Sequence, residues 1–185
     1  MSGPLDAVME WLRTASDGLR VARRVLTGDP AKAVNDKHVF YYDPTPDHSV
    51  RRLDAARNEI DDLAIVVMVA VFERRLRDHL AGLPPVAVPF SDPLAEAVRG
   101  QLLDDMEFWE NSKKLLGLFQ SSVPADLIGQ VRQIIDYRNW VAHGRNPRKP
   151  PGVTLTPVQV HERLSEFLRL AGAVRIATSH PPPPA

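Results

Sequence analysis

The sequence contains no cysteine, carries no net charge and has no long apolar run. The absence of cysteine excludes disulfides, thiolate metal ligands and thiol nucleophiles. Because 23 Lys and Arg balance 23 Asp and Glu, neither a generally basic nucleic-acid coat nor an acidic tail is expected. The longest apolar run, Leu63–Phe72, has ten residues, whereas a membrane span needs about 20. No targeting segment is visible at the N-terminus. We therefore expect a soluble cytoplasmic protein that does not contact membranes.

Proline is the residue present in excess, with 17 among 185 residues, against a usual share of about 5%. Because proline interrupts helices, its positions mark where the structure is divided. Most of the prolines cluster in four segments, 44–46, 84–93, 147–157 and 181–184. The chain length suits one domain, which we expect to span residues 1–178 and to be followed by a disordered proline-rich tail at 179–185.

Between these clusters, apolar residues recur with the helical period, and strand patterns are scarce. The pattern predicts an all-α, up-and-down bundle of about five helices with a long central second helix. The predicted helices cover, in approximate bounds, residues 4–27, 50–82, 91–120, 124–144 and 156–176. The second contains the apolar run and is apolar on nearly all sides, which predicts that other helices surround it.

The connection at 28–49 is long for a compact domain, which suggests a function or disorder. Its Tyr41 and Tyr42 have two interpretations, gating a cleft or packing beneath it. Metal sites are poorly supported, because the six histidines show no paired ligand spacing. The sequence also lacks a glycine-rich loop for phosphate. We expect neither a metal nor another cofactor.

The segment that best suggests chemistry ends the predicted fourth helix, where His143 follows Arg138 by five residues and Gly144 follows as a helix stop. Residues 132–149 hold five basic side chains against Asp136 alone, a net charge of +4. The basic residues are Arg132, Arg138, Arg145, Arg148 and Lys149. Arginine binds phosphate bidentately and histidine transfers protons near neutral pH. Together they suit RNA cleavage by the 2′-hydroxyl without a metal.

The segment Arg138-Asn139-Trp140-Val141-Ala142-His143 resembles the motif of the HEPN superfamily. That family consists of all-α bundles of four or five helices, many of them metal-independent endoribonucleases. Their motif is an arginine, often followed by a polar residue, and then a histidine near the end of a late core helix. The long second helix, with Glu73 near its charged end, is also similar to the family.

The resemblance implies a metal-independent endoribonuclease that acts as a toxin or antiphage-defence effector on RNA. Arg138 would bind phosphate and stabilise the transition state, and His143 would act as general base or acid. Asn139 would orient the histidine or the substrate, and Glu73 would position Arg138. Further RNA contacts are expected from Arg132, Arg145, Arg148 and Lys149. An antitoxin or regulatory protein is the expected protein partner.

One departure from the family concerns the second residue after the histidine. A toxin branch has a tyrosine there, which a partner nucleotidyltransferase modifies to silence the toxin. This chain has Arg145 instead, so that silencing mechanism is not expected.

Helical geometry adds a constraint, because five residues turn through about 500°. Arg138 and His143 therefore do not project side by side, whereas Asn139 and His143, four apart, do. A two-fold homodimer would bring two arginines and two histidines to one phosphate. The resemblance implies the same composite site, since HEPN nucleases usually act as dimers.

Other interpretations remain. The same spacing occurs in Arg74/His79, within a charged helix end, and in Arg175/His180, beside the proline tail. Arg138 and His143 could simply satisfy carbonyls at a helix end. Trp140 could stack on a base or pack in the core. Two other function classes stay open: a HEPN-like module that binds RNA or a nucleotide without cutting it, and a structural helical partner. The structural role would be favoured if Arg138 were buried in an intrachain ion pair.

Overall fold

A computed structural model describes residues 3–28, 46–81 and 112–172 of the chain. Within these ranges the chain forms five helices and no strand. They are α1 (Pro4–Gly28), α2 (Pro46–Ala81), α3 (Ser112–Gly117), α4 (Ala125–Ala142) and α5 (Pro157–Leu170). The predicted all-α bundle with a long second helix is confirmed.

The α2 helix is the centre of the bundle, because it packs against α1, α4 and α5. The α5 helix also contacts α1 and α4, and α3 contacts α4. Three aromatic rings connect these layers, with Phe167 of α5 between Phe72 of α2 and Phe119 after α3. Their ring centroids are 5.3 and 5.6 Å apart in edge-to-face contacts, an arrangement that aromatic quadrupoles favour.

Helix ends follow local signals in the sequence. The α2 helix begins at Pro46, four residues before the predicted start, because proline in a first turn lacks only an N–H that has no helical partner. At the start of α5, Thr156 and Gln159 form a reciprocal capping box. The expected extension of α5 to residue 176 is wrong, since the helix ends at Leu170 and Gly172 adopts a φ of 70°.

Several predictions fall outside the described residues. These are the connection at 29–45 with Tyr41 and Tyr42, most of the predicted third helix, and the tail at 179–185. The described part of the third helix, α3, ends at Gly117, three residues before the predicted end at 120.

The apolar run of α2 is not covered on all sides, contrary to the expectation from its composition. Its inner face is fully buried, but the side chains of Leu63 and Val67 are 44% and 43% exposed. Ala70, one turn further, is also exposed. Within the part of the chain that the structure describes, no helix is long and apolar enough to cross a membrane.

Candidate active site at the contact of α2 and α4

The C-terminus of α4 ends in a tight, fully hydrogen-bonded turn that carries His143. The backbone N–H groups of His143, Gly144 and Arg145 donate to the carbonyls of Asn139, Val141 and Trp140 at 3.0, 3.1 and 2.9 Å. The last two bonds form a Schellman motif, which requires a left-handed residue directly after the helix. Gly144 supplies it with a φ of 81°, and the motif fixes the backbone on both sides of His143.

Arg138, one turn before that end, points toward α2. Its Nη2 donates to Oε1 of Glu73 and forms an ion pair. The Glu73 side chain is only 11% exposed and that of Arg138 is 24% exposed. The Nε atom of Arg138 is buried without a hydrogen-bond partner. Arg77 also approaches Glu73, with 4.0 Å between its Nη2 and Oε2. The structure therefore brings together Glu73 and Arg138, which the sequence analysis had paired.

Asn139 and His143 are four residues apart, and the backbone N–H of His143 donates to the Asn139 carbonyl. His143 is exposed and Asn139 is partly buried. Among the described residues, none donates to or accepts from the His143 imidazole. Five helical residues turn through about 140° net, so this spacing directs Arg138 and His143 to different sides of the helix end. One chain presents a held arginine and an exposed histidine at the same helix end.

Arg145, expected to contact RNA, instead reaches back to α2. Its Nε and Nη2 donate to Oδ2 of Asp62 at 3.0 and 2.7 Å, and its Nη2 donates to Oε2 of Glu59 at 2.7 Å. The other Asp62 oxygen, Oδ1, accepts a 2.6 Å hydrogen bond from the Tyr137 hydroxyl. Asp62 thus bonds both to Tyr137, which precedes Arg138, and to Arg145, which follows His143.

These contacts raise the pKa values of Tyr137 and Arg145. Burial, followed by the hydrogen bond to Asp62, raises the pKa of Tyr137 to about 12. The hydrogen bonds to Asp62 and Glu59 raise the pKa of the Arg145 guanidinium above its ordinary value. Both side chains therefore keep their protons at neutral pH, and the Asp62 carboxylate acts as the acceptor between them.

The structure reduces the positive charge that the sequence places at 132–149. Glu59, Asp62 and Glu73 come from α2 into contact with this segment. Including them lowers the local net charge from +4 to +1. Of the four expected RNA contacts outside the motif, Arg132, Arg148 and Lys149 are exposed. Arg145 is the one engaged by two carboxylates.

Sequence reasoning missed Asp62, Glu59 and Tyr137 as parts of this region. Asp62 directly precedes the ten-residue apolar run. A weak signal existed, because an acidic residue directly beside such a run has to find a partner when the run is buried. The partners themselves lie 75 and 83 residues away in sequence, and no local pattern connects them.

Of the other two arginine–histidine pairs, the described one, Arg74/His79, shows no comparable arrangement. Arg74 is 84% exposed and lies 3.9 Å from Asp78 on the same helix. His79 packs near Phe119, with 6.4 Å between ring centroids, and burial lowers its pKa. Arg175 and His180 lie outside the described residues.

Trp140 stabilises the turn at the C-terminal end of α4. It is partly buried against the core, its ring centroid lies 5.9 Å from that of Tyr137, and its Nε1 donates to the Asn146 carbonyl at 3.0 Å. This indole therefore ties the segment after the motif to α4.

Comparisons of the chain with models of protein families, with curated proteins and with solved structures find no match. Within the described ranges, no group of three or more His, Asp or Glu side chains is placed to hold a metal ion. The chemistry available at the end of α4 is thus a carboxylate-held guanidinium and an exposed imidazole. The first can stabilise negative charge and the second can transfer a proton.

Proposed function

We propose that this protein is a metal-independent endoribonuclease, with Arg138 and His143 as its catalytic residues. The observation that carries the proposal is the exposed His143 in the hydrogen-bonded turn at the end of α4, five residues after an arginine that Glu73 of α2 holds. A buried carboxylate fixes the orientation of the guanidinium, and the Schellman turn fixes the backbone of the histidine. Preorganised groups of this kind stabilise developing charge at low reorganisation cost. The resemblance of residues 138–143 to the HEPN motif supports the same assignment.

The proposed reaction uses the substrate's own 2′-hydroxyl. His143 takes the proton from that hydroxyl, and its oxygen forms a bond to the adjacent phosphorus. The bond from phosphorus to the 5′-oxygen breaks, and a protonated histidine returns a proton to this leaving oxygen. Arg138 stabilises the charge on the phosphoryl oxygens. The products are a 2′,3′-cyclic phosphate and a 5′-hydroxyl. Asn139 would orient the substrate or His143, and Arg132, Arg148 and Lys149 would hold the RNA backbone.

Two protons move in this reaction, whereas one chain offers one motif histidine. Because helical spacing directs Arg138 and His143 to different faces of the helix end, a second copy related by a two-fold axis would complete the site. The biological role proposed with this activity is that of a toxin or antiphage-defence effector, regulated by a protein partner. Growth inhibition on expression, lost in His143→Gln, would test that role.

The direct test is incubation of RNA with the purified full chain in the presence of EDTA. We expect cleavage with cyclic phosphate ends, and a loss of at least about 100-fold in His143→Gln and in Arg138→Gln. His161→Gln is the matched control, because His161 lies on α5 and pairs with Asp6 of α1 rather than with a residue of α4. Equal activity in wild type and His143→Gln, or none in a folded wild-type chain, would overturn the proposal.

A non-catalytic module that binds RNA or a nucleotide, or that only packs against a partner, is the second candidate. The observation that favours the structural role is the one expected for it, since the largely buried Arg138 is held in an ion pair by Glu73 of the same chain. Arg145 is likewise held by Glu59 and Asp62. RNA binding that weakens with salt, tolerates His143→Gln and occurs without cleavage would identify the binding module. No RNA binding at low salt would favour the structural role.

A further inference from the structure

One side of α2 is apolar and open among the described residues. We define the α2 stripe as Leu63, Val67 and Ala70, which follow one another by four and three positions and are all exposed. Such spacings place side chains along one side of a helix. The partly buried residues beside the stripe are also apolar, namely Ile60, Val66 and Val71. A continuous apolar surface of this kind marks a contact with another segment or molecule.

The described part of the chain is basic, although the whole chain is neutral. Residues 3–28, 46–81 and 112–172 carry 19 Lys and Arg against 14 Asp and Glu, a net charge of +5. The segment 82–111, which lies outside the described residues, carries six Asp and Glu against Arg99, a net charge of −5. The neutrality of the chain thus results largely from one acidic segment that balances a basic bundle. Opposite net charges favour contact between the two.

The two ends of this acidic segment belong to the same end of the bundle. The segment begins after Ala81, the last residue of α2, and ends before Ser112, the first residue of α3. Shortly after α3, the ring centroid of Phe119 lies 6.4 Å from that of His79, in the last turn of α2. The stripe begins at Leu63, 18 residues before the end of α2, which is about 27 Å along the helix. An occupant from this segment must therefore cover about 27 Å in each direction.

The two halves of the segment suit the outward and the return path. Residues 82–92 include Pro84, Pro85 and Pro89, which disfavour a helix, and eleven extended residues span up to about 36 Å. Residues 93–111 belong to the third helix that the sequence predicts, and 19 helical residues span about 28 Å. The apolar residues of this half recur at spacings of four and three, which place them on one side of a helix: Leu94, Val98, Leu102, Met106 and Trp109.

We propose that residues 93–111 form a helix that packs lengthwise on the α2 stripe, with its apolar side against Leu63, Val67 and Ala70. Because the chain returns toward α3 at the C-terminal end of α2, this helix runs parallel to α2. The α2 helix is then surrounded by α1, α4, α5 and the added helix, as the apolar character of its central run predicts. The arrangement does not depend on the proposed ribonuclease activity.

The charge at the C-terminal end of the stripe agrees with this direction. Arg74 follows the stripe by one turn, in line with it. Its side chain is 84% exposed, and its Nε lies 3.9 Å from Oδ2 of Asp78 on the same helix. A parallel helix that starts level with the first stripe residue reaches this arginine eleven residues later, at Asp104 and Asp105. The basic end of the stripe therefore meets the most acidic part of the segment.

The first test is cross-linking within the chain, which contains no native cysteine. The variant Val67→Cys/Val98→Cys places one thiol on the stripe and one on the apolar side of the proposed helix. With a short bis-maleimide we expect a link inside one chain, formed at least about tenfold faster than in Val158→Cys/Val98→Cys, because proximity raises the effective concentration. Val158 is the matched control, since it is 54% exposed but lies on α5. Equal rates, or links chiefly between two chains, would overturn the proposal.

The second test measures whether the stripe is covered and needs only one thiol. The Val67 side chain is 43% exposed among the described residues, and that of Val158 is 54% exposed. Exposure alone therefore predicts similar reaction rates for Val67→Cys and Val158→Cys with a maleimide. If the helix covers the stripe, Val67→Cys should react at least about tenfold more slowly. Similar rates would show an open stripe, and protection that increases with protein concentration would assign it to a second copy. Either result would overturn the proposal.

The third test concerns the charges and uses the rate of Val67→Cys labelling as its readout. Asp104→Lys/Asp105→Lys should increase this rate severalfold, because both lysines would then lie level with Arg74. Adding Arg74→Glu should slow the labelling again, which would not occur if the lysines had simply unfolded the segment. Asp17→Lys on α1, where the aspartate is paired with Arg20 and exposed, is the control and should leave the rate unchanged. No recovery with Arg74→Glu would contradict the parallel direction.

Discussion

Arg138, near the end of α4, is held by the buried carboxylate of Glu73 on α2, across 65 residues of sequence. The pair joins the candidate site to the centre of the bundle. Because both charges are largely removed from water, each is costly when the other is absent. The same contact therefore affects both stability and the proposed chemistry, and the two effects can be measured separately.

The first prediction concerns the stability of this pair. Glu73→Gln should lower the free energy of unfolding by about 2 kcal/mol, because it leaves the Arg138 charge without its partner. The double variant with Arg138→Met should cost less than the sum of the two single changes. Asp17→Asn is the control, since its pair with Arg20 is exposed on α1 and should change stability by less than about 0.5 kcal/mol. Urea denaturation measures all four, and strictly additive effects would contradict a coupled pair.

The second prediction concerns Tyr137 and pH. Its pKa of about 12 lies above that of an ordinary tyrosine, 10.0. The protonated hydroxyl therefore stabilises the fold fully below pH 10.0, and this contribution is lost as the pH rises toward about 12. Tyr137→Phe should lower the free energy of unfolding by about 1 kcal/mol at pH 8. The difference from wild type should shrink at higher pH.

Chemical denaturation at several pH values tests this dependence, with ultraviolet absorbance of the phenolate as a second readout. Wild type should show one tyrosine that ionises near pH 12 and is absent from Tyr137→Phe. A stability difference between wild type and Tyr137→Phe that stays constant across the alkaline range would contradict a stabilising hydrogen bond from the Tyr137 hydroxyl to Asp62.

The third prediction compares the adjacent carboxylates Asp61 and Asp62. Asp62 accepts hydrogen bonds from Tyr137 and Arg145, so Asp62→Asn should destabilise the fold by about 2 kcal/mol at neutral pH. For Asp61, burial raises the pKa above 3.8. Its charged form is therefore disfavoured in the folded state, and Asp61→Asn should be slightly stabilising at neutral pH.

The pH dependence provides the check for Asp61. A raised carboxyl pKa favours folding at low pH, and this advantage is lost as the pH rises through the folded-state pKa. The gain from Asp61→Asn should therefore disappear when the pH falls below 3.8, where Asp61 is protonated in both states. Thermal melts of both variants at acid and neutral pH measure this, and a destabilised Asp61→Asn at neutral pH would contradict it.

The fourth prediction compares two glycines, Gly129 inside α4 and Gly144 just beyond its C-terminal end. Gly144 has a φ of 81°, and nothing lies within 4 Å of an added Cβ. Gly144→Ala should thus destabilise the fold by about 1 kcal/mol through backbone strain alone. Gly129, inside α4, also has open space around it, so Gly129→Ala should stabilise by roughly 0.5–1 kcal/mol. Equilibrium unfolding should give opposite signs, and the same sign for both would refute the assignment of the turn.

The helices and their ends were largely predictable from the sequence, because the signals are local. Apolar periodicity located α1, α2, α4 and α5, and proline or glycine marked most of their ends. The position of Arg138 and His143 at the end of α4 followed in the same way. The apolar pattern continues to residue 176 and does not mark the end of α5, whereas Gly172, with a φ of 70°, follows that end closely.

Tertiary structure alone decided which partners these residues have. The ten-residue apolar run of α2 contains no polar face, so its period cannot tell the buried side from the side that carries Leu63 and Val67. Nor can a count of charges predict that Glu59 and Asp62 engage Arg145. The sequence specifies helices through interactions between near neighbours, whereas the charge and the open surfaces of the site depend on contacts between residues far apart in the chain.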